Sequence, residues 1–203
     1  MNQAINYYLT ILRNKETARC AFRQAAHQIA DLLAQEAANH LKVRTITVQT
    51  PLAQASGIVY DDPQVIVPIL RSGITMLPSF LRYFCDSRVG VVGLKRDEKT
   101  AIAKKYYSNI PPIDAQTQII IIDPMIATGG TAIETLALLK EKGAIESQIL
   151  FVSIVSSPEG IKIIKTSYPE VTIITASCDD GLNDKKYIVP GLGDFGDRYF
   201  GSE

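Results

Sequence analysis

Ile119–Leu139 reads IIIIDPMIATGGTAIETLALL. The run Ile119–Ile122 is short, apolar and wholly β-branched, the pattern of a strand buried on both faces. It breaks at Asp123-Pro124, because Pro124 has no N–H to offer a central ladder. A small, flexible loop follows, containing Ala127, Thr128, Gly129, Gly130 and Thr131. Ile133, Leu136 and Ala137 then recur at helical spacing. Lys140 and Lys142 load the last turn before Gly143, which predicts a helix and its stop. Strand, acid, Gly/Thr loop and helix form one unit.

The backbone gives that unit its chemistry. The first turn of a helix carries free N–H groups and the positive end of the macrodipole. Gly129 and Gly130 let the loop approach a ligand with no Cβ in the way, and Thr128 and Thr131 add hydroxyl donors. Together they suit a phosphate monoester. Asp123 stands at the carboxyl end of the strand, where open α/β sheets bind ligands, and its carboxylate can accept hydrogen bonds from ribose hydroxyls. The stretch therefore reads as a ribose-phosphate cradle. It is neither a Walker A loop, since no Lys follows Gly130, nor a G-x-G-x-x-G dinucleotide fingerprint.

Ile121–Thr131 (IIDPMIATGGT) resembles the phosphoribosyl-pyrophosphate (PRPP) motif of type I phosphoribosyltransferases. Most of that class carry two adjacent acids at its centre. Asp123-Pro124 followed by Met-x-Ala-Thr-Gly-Gly resembles the uracil phosphoribosyltransferase branch.

The rest of the chain bounds this reading. Its 203 residues are 46% hydrophobic, which suits a single domain over 1–203 with a full core. The 21 basic side chains are balanced by 21 acidic ones, so no general attraction to nucleic acid or anionic lipid is expected. Cys20, Cys85 and Cys178 are far apart and odd in number, which fits three reduced thiols in a cytoplasmic protein rather than a disulfide framework or zinc site. No apolar run reaches membrane-spanning length, and the first residues show no signal-peptide core.

In chain order, Ala4 to about Asn39 reads as two helices broken at Arg13-Asn14, the second with Thr17 as its cap. Val43–Gln49 alternates as a half-exposed strand, with a hairpin partner around Ile58–Tyr60. Further strands are expected at Val65–Val67, Arg88–Leu94, Gln148–Val155 and Val171–Thr175, interleaved with helices. The expected fold class is therefore α/β, a doubly wound parallel sheet of about five strands. The insert Arg96–Pro112 is charged, then aromatic. It reads equally as a solvated loop or as an arm projecting over a polyphosphate.

The resemblance extends to three further places. Pro68–Gly73 (PILRSG) resembles the family's pyrophosphate loop, which implies that Arg71 holds pyrophosphate. Lys95–Glu98 matches the start of its flexible arm and implies a PRPP-binding role for Arg96. Tyr187–Arg198 (YIVPGLGDFGDR) resembles its uracil-recognition segment, a C-terminal hood, and implies uracil contacts from Tyr187, Ile188, Gly193, Asp194 and Phe195. Phe195 stands where many bacterial members have a small residue. The segment's density of glycines independently suits a backbone that wraps a small planar ligand, so recognition at Phe195 is expected from the main chain rather than the ring.

The implied reaction is uracil plus PRPP giving UMP and pyrophosphate. Its PRPP site would comprise Arg71, Arg96, Asp123, Pro124, Met125, Ile126, Ala127, Thr128, Gly129, Gly130, Thr131 and Asp194, with Arg71, Arg96, Asp123 and Asp194 closest to the chemistry. Mg2+ is the expected cofactor, carried mostly by PRPP with Asp194 as the candidate protein ligand. The resemblance also implies a homo-oligomer, dimer or tetramer, and raises GTP as an effector. Two other readings use the same scaffold: a phosphoribosyltransferase for another base, and an RNA-binding regulator of pyrimidine operons. The hood argues against the first and the balanced charge against the second.

Overall fold

A computed structural model of the chain describes residues 3–61, 64–96 and 103–202; the side chains of Arg96, Ala103 and Lys104, and the arm residues Asp97 and Glu98, lie outside that description. The order is α1 (Gln3–Arg13), α2 (Arg19–Ala38), β1 (Val43–Gln49), β2 (Gln54–Tyr60), β3 (Val65–Leu70), α3 (Leu77–Tyr83), β4 (Arg88–Val89), β5 (Val91–Arg96), β6 (Ala103–Asn109), β7 (Ile119–Ile122), β8 (Met125–Ile126), α4 (Gly130–Glu141), β9 (Ile149–Ser156), α5 (Pro158–Ser167), β10 (Thr172–Cys178), β11 (Gly181–Leu182), β12 (Ile188–Val189) and α6 (Phe195–Phe200).

The main sheet runs β10-β9-β7-β3-β5-β6, parallel except for β6. The five strands expected near 65, 90, 120, 151 and 173 are its parallel core, with β7 at the centre. All four isoleucines of β7 are fully buried. Because strand side chains alternate between faces, Ile120 and Ile122 pack under α1, α2 and α3 with Leu12, Ile29 and Phe80. Ile119 and Ile121 face Leu136 and Leu139 of α4 and Ile164 of α5. The unbroken apolar run thus reports two covered faces.

Several expectations change. Strand β7 stops at Ile122, before Asp123-Pro124, as expected, but its pairing with β9 is only interrupted. Asp123 N–H donates to the Val152 carbonyl, and the Pro124 carbonyl accepts from both Ile154 and Val155 N–H at 3.0 Å. Pairing with β9 then resumes at Met125↔Val155 in the register of Ile122↔Val152. The proline interrupts the ladder at one donor and leaves its frame intact. The insert adds a sixth, antiparallel strand, since β6 pairs with β5 from Val91↔Asn109 to Arg96↔Ala103; tyrosines 106 and 107 there supply β-favouring side chains. The hairpin β1–β2 is exposed along nearly all of β1 rather than half-buried. Ala18, not Thr17, is the α2 N-cap; the Thr17 hydroxyl donates to the Ile11 carbonyl instead. Among the described residues no helix is long and apolar enough to cross a membrane.

The C-terminal residues return over the carboxyl edge of the sheet as a hood, tied down by charge. Arg13 reaches Asp179 with two nitrogens, at 2.8 and 2.6 Å. Asp179 also accepts from Ser177 Oγ at 2.7 Å and from Gly191 N–H at 2.8 Å. Arg198 donates to the Leu192 and Asn14 carbonyls, both at 2.7 Å, and to that of Leu12. Burial alone would raise the Asp179 carboxyl, but the bonds from Arg13, Ser177 and Gly191 outweigh it and hold the group below the ordinary carboxylate range.

The Asp179 side chain is 2% exposed and that of Arg13 27%. Breaking such a pair leaves a poorly solvated charge, at a cost of about 3 kcal/mol. Asp179→Asn is expected to lose about that much in denaturant titrations at pH 7. A carboxyl lowered in the folded state contributes stability above its unfolded value of 3.8. That contribution is lost as pH falls through the folded value, so the gap between variant and wild type should narrow in acid. A pH-independent gap would refute the ion-pair account.

Candidate active site

A cavity of about 390 Å³ opens between the carboxyl edge of the sheet and the hood. The sheet side supplies Asp123, Met125 and Ala127, with Ser72 from the turn after β3. The hood supplies Lys185, Lys186, Tyr187, Ile188, Gly193, Asp194, Phe195 and Gly196. Eight residues named from the sequence, Asp123, Met125, Ala127, Tyr187, Ile188, Gly193, Asp194 and Phe195, therefore meet around one space.

The others are placed differently. Thr128, Gly130 and Thr131 are partly exposed in the adjoining loop and first turn of α4. Pro124, Ile126 and Gly129 are buried; the Ile126 side chain is core packing beneath α4 and α5. Arg71 stands outside the lining, its guanidinium 3.7 Å from where a Cβ on Gly196 would project. The Arg96 side chain lies outside the description.

The loop's shape follows from close backbone contact. Gly129 has φ +79° and is the N-cap of α4, with no side-chain cap bond. A Cβ there would come 3.0 Å from the Gly160 carbonyl, and one on Gly160 would strike the Ala127 carbonyl at 2.4 Å. Ser157 fastens the same contact, donating to the Ala127 carbonyl at 2.6 Å and accepting from Gly160 N–H at 3.0 Å. The 123–131 loop is thus pressed against the start of α5. The uncapped first turn of α4 remains available to an anion.

Electrostatics divide the cavity. Burial pushes the Asp123 carboxyl up to about 7, against the bond from Met125 N–H that favours its charged form. Asp194 accepts from Asp197 N–H at 2.9 Å, capping α6. Lys185 and Lys186 bring cations to the hood side. Lys186 holds φ 65°, in the left-handed region, fixed by a turn in which Asn183 Oδ1 accepts from Lys185 and Tyr187 N–H and Lys186 N–H donates to the Asn183 carbonyl. Sequence reasoning missed both lysines. Asn183-Asp184 signals the turn, but nothing in the sequence says that it faces the cavity. Among the described residues no cluster of three or more His, Cys, Asp or Glu could hold a metal ion.

The family model for uracil phosphoribosyltransferase matches residues 1–202. The chain belongs to the uracil phosphoribosyltransferase family. It is 46% identical to the uracil phosphoribosyltransferase of Campylobacter concisus, over 97% of this chain and 93% of that one. The solved structure of an Aquifex aeolicus protein superposes with a TM-score of 0.91 at 31% identity, covering 100% of this chain and 97% of that one. A hypoxanthine-guanine phosphoribosyltransferase from Bacillus anthracis has a TM-score of 0.51 at 10% identity, over 79% and 80% of the two chains, a likeness of fold alone.

Within this uracil phosphoribosyltransferase scaffold Phe195 has a definite place. The residue is 1% exposed, its ring 5.4 Å from that of Phe22 and stacked on Tyr199 at 5.7 Å. Phe195 is also among the residues that line the cavity. The ring is core packing. Phe195→Ala should cost about 3 kcal/mol or more in stability. Phe195→Leu should keep most of the stability and leave the uracil KM near wild type; a large KM rise in a stable Leu variant would make the ring a contact.

Asp123 gives a second expectation. A carboxyl raised in the folded state costs stability as pH rises from 3.8 through about 7. Asp123→Asn removes that cost, so the melting temperature of the ligand-free variant should exceed wild type more at pH 8 than at pH 5. Equal differences at both values would show that Asp123 ionises without penalty.

Proposed function

We propose that the chain transfers the phosphoribosyl group of PRPP to uracil, giving UMP and pyrophosphate. The observation that carries this reading is that Asp123 and Gly193–Phe195 line one cavity. In this reading the acid binds ribose and the glycine-rich main chain matches the carbonyls and N3–H of a pyrimidine. Membership of the uracil phosphoribosyltransferase family supports the same choice of base and acceptor.

In this reading Asp123 accepts from the ribose hydroxyls, whose donation would draw its raised carboxyl toward the charged form. The 128–131 loop and the first turn of α4 take the 5′-phosphate. As pyrophosphate departs, negative charge grows on it, and Arg71 and Arg96 stabilise that charge with planar forks suited to phosphate oxygens. Uracil lies under the hood against Ile188 and Gly193–Phe195, with Tyr187 at its edge. No nucleophilic side chain is needed, because holding N1 against C1′ is mainly positioning.

The donor set fits Mg2+ brought in with PRPP. The cavity offers two carboxylates, Asp123 and Asp194, too few for a protein cage and sufficient for an ion that keeps phosphate and water ligands. Asp194 would be the protein's oxygen donor, and the ion when bound would neutralise charge on pyrophosphate. The same reading takes the protein as a cytoplasmic homo-oligomer. The exposed Val48, Leu52 and Ile58 of the β1–β2 hairpin support association between copies. GTP is its candidate effector, tested by adding it to the assay.

A panel of uracil, cytosine, hypoxanthine and guanine with PRPP and Mg2+, read by pyrophosphate release, should yield turnover with uracil alone. Comparable turnover with a purine would reject the assignment. Asp123→Asn should lower kcat/KM for PRPP about tenfold or more while remaining folded, since charge-assisted hydrogen bonds are roughly twice as strong as neutral ones. Wild-type kcat/KM in that variant would remove Asp123 from the ribose site.

A further inference from the structure

The last residues of the chain close around Arg71. Its guanidinium lies over the Phe200 ring, 4.8 Å from the centroid. Nη2 donates to Ser202 Oγ at 3.1 Å and stands 3.7 Å from Asp197 Oδ1. The Ser202 hydroxyl donates to that same Oδ1 at 2.8 Å. A ring, a hydroxyl and a carboxylate, all from α6 and the residues just after it, thus converge on one cation. The reaction as described makes no other use of Asp197, Phe200 or Ser202.

The contact joins two parts of the active site. Arg71 ends the β3 side of the cavity, where its neighbour Ser72 is a wall residue. The α6 helix begins at the hood wall, with Phe195 and Gly196. Gly196 has no side chain between them; a Cβ there would come 2.9 Å from Ser72 Oγ and 3.2 Å from Asp194 Oδ1. One turn of helix therefore faces the cavity at its start and grips Arg71 at its end.

The geometry leaves the guanidinium usable. Its flat face is taken by Phe200, while a phosphate needs the N–H groups in the plane. Among the described residues Ser202 is the one hydrogen-bond acceptor of Arg71, and the side chain is 57% exposed. An unheld arginine at that exposure would sample many rotamers and lose that freedom on binding. One laid on a ring and pinned at one nitrogen has lost most of it beforehand.

We propose that Phe200 and Ser202, with Asp197 behind them, are positioning residues that hold Arg71 ready for the pyrophosphate of PRPP. This rests on the reading that Arg71 binds pyrophosphate, and the test separates the two.

The variants are Phe200→Leu, Phe200→Tyr, Ser202→Ala and Arg71→Ala, with Phe200→Leu also built on Arg71→Ala. KM for PRPP and for uracil is measured for each, and inorganic pyrophosphate binding to the full chain is measured by calorimetry without turnover. Phe200→Leu and Ser202→Ala should weaken PRPP and pyrophosphate roughly two- to fivefold, as expected for losing an exposed cation–π contact or one hydrogen bond, with uracil KM unchanged. Phe200→Tyr should restore wild-type values. On the Arg71→Ala background Phe200→Leu should add nothing. Ser202→Ala changes one exposed hydroxyl, so it reports even where Phe200→Leu disturbs folding. Wild-type pyrophosphate binding in Ser202→Ala and Phe200→Leu, beside a defective Arg71→Ala, would overturn the positioning role. A further loss when Phe200→Leu is added to Arg71→Ala would overturn it too, by showing that the ring acts through hood packing. Wild-type PRPP affinity in Arg71→Ala would overturn the reading beneath it.

Discussion

The architecture depends on one buried carboxylate. Asp179 follows β10, under the hood, and its two oxygens take donors from three directions: Arg13 at the end of α1, Ser177 at the end of β10, and the backbone of Gly191 within the hood. Each bond satisfies a group that would otherwise be costly to bury. Together they set the height of the hood above the sheet. The cavity has one wall on the sheet and the other on the hood, so its width follows from this network and from the Arg198 bonds to Leu192 and to Asn14 just after α1. An N-terminal helix with no place in the chemistry thereby becomes part of what shapes the site.

Within that frame the walls are largely main chain. The 123–131 loop takes its course from a glycine–glycine contact with α5 and from Ser157, and the hood is threaded through residues in left-handed or capped conformations. A backbone fixed in this way offers donors and acceptors without rotamer entropy to lose, which suits a small flat base and a phosphate. The charged side chains surround it. Burial raises the Asp123 carboxyl, and hydrogen bonds donated to it or a cation beside it would favour its charged form.

The β5–β6 ladder is a different economy. It extends the sheet at an edge, where an antiparallel partner needs no crossover, and the register shifts between Gly93 and Leu94. Such an irregularity bends a strand pair, which carries Lys95 and Arg96 along a curved ribbon beyond the covered part of the sheet.

The sequence alone determined much of this. Four consecutive isoleucines between polar breaks specify a doubly covered central strand, because only a strand buried on both faces has no use for alternation. The order of strands and helices then leaves a parallel sheet, and the Asp-Pro and Thr-Gly-Gly-Thr positions mark its ligand edge. These are local signals, carried by periodicity, a missing N–H and a missing Cβ. Tertiary structure decided what depends on partners far away in the chain. It sent the Phe195 ring into the core, because Phe22 and Tyr199 stand where the ring can bury. It packed the Ile126 side chain into the core, resumed the ladder after Pro124, and placed β6 within an insert that read equally as a loop or an arm. It also joined Arg13 to Asp179 across 166 positions and Arg71 to Ser202 across 131. No pattern within a strand or helix encodes such pairs; they exist because the folded backbone brings donor and acceptor within reach.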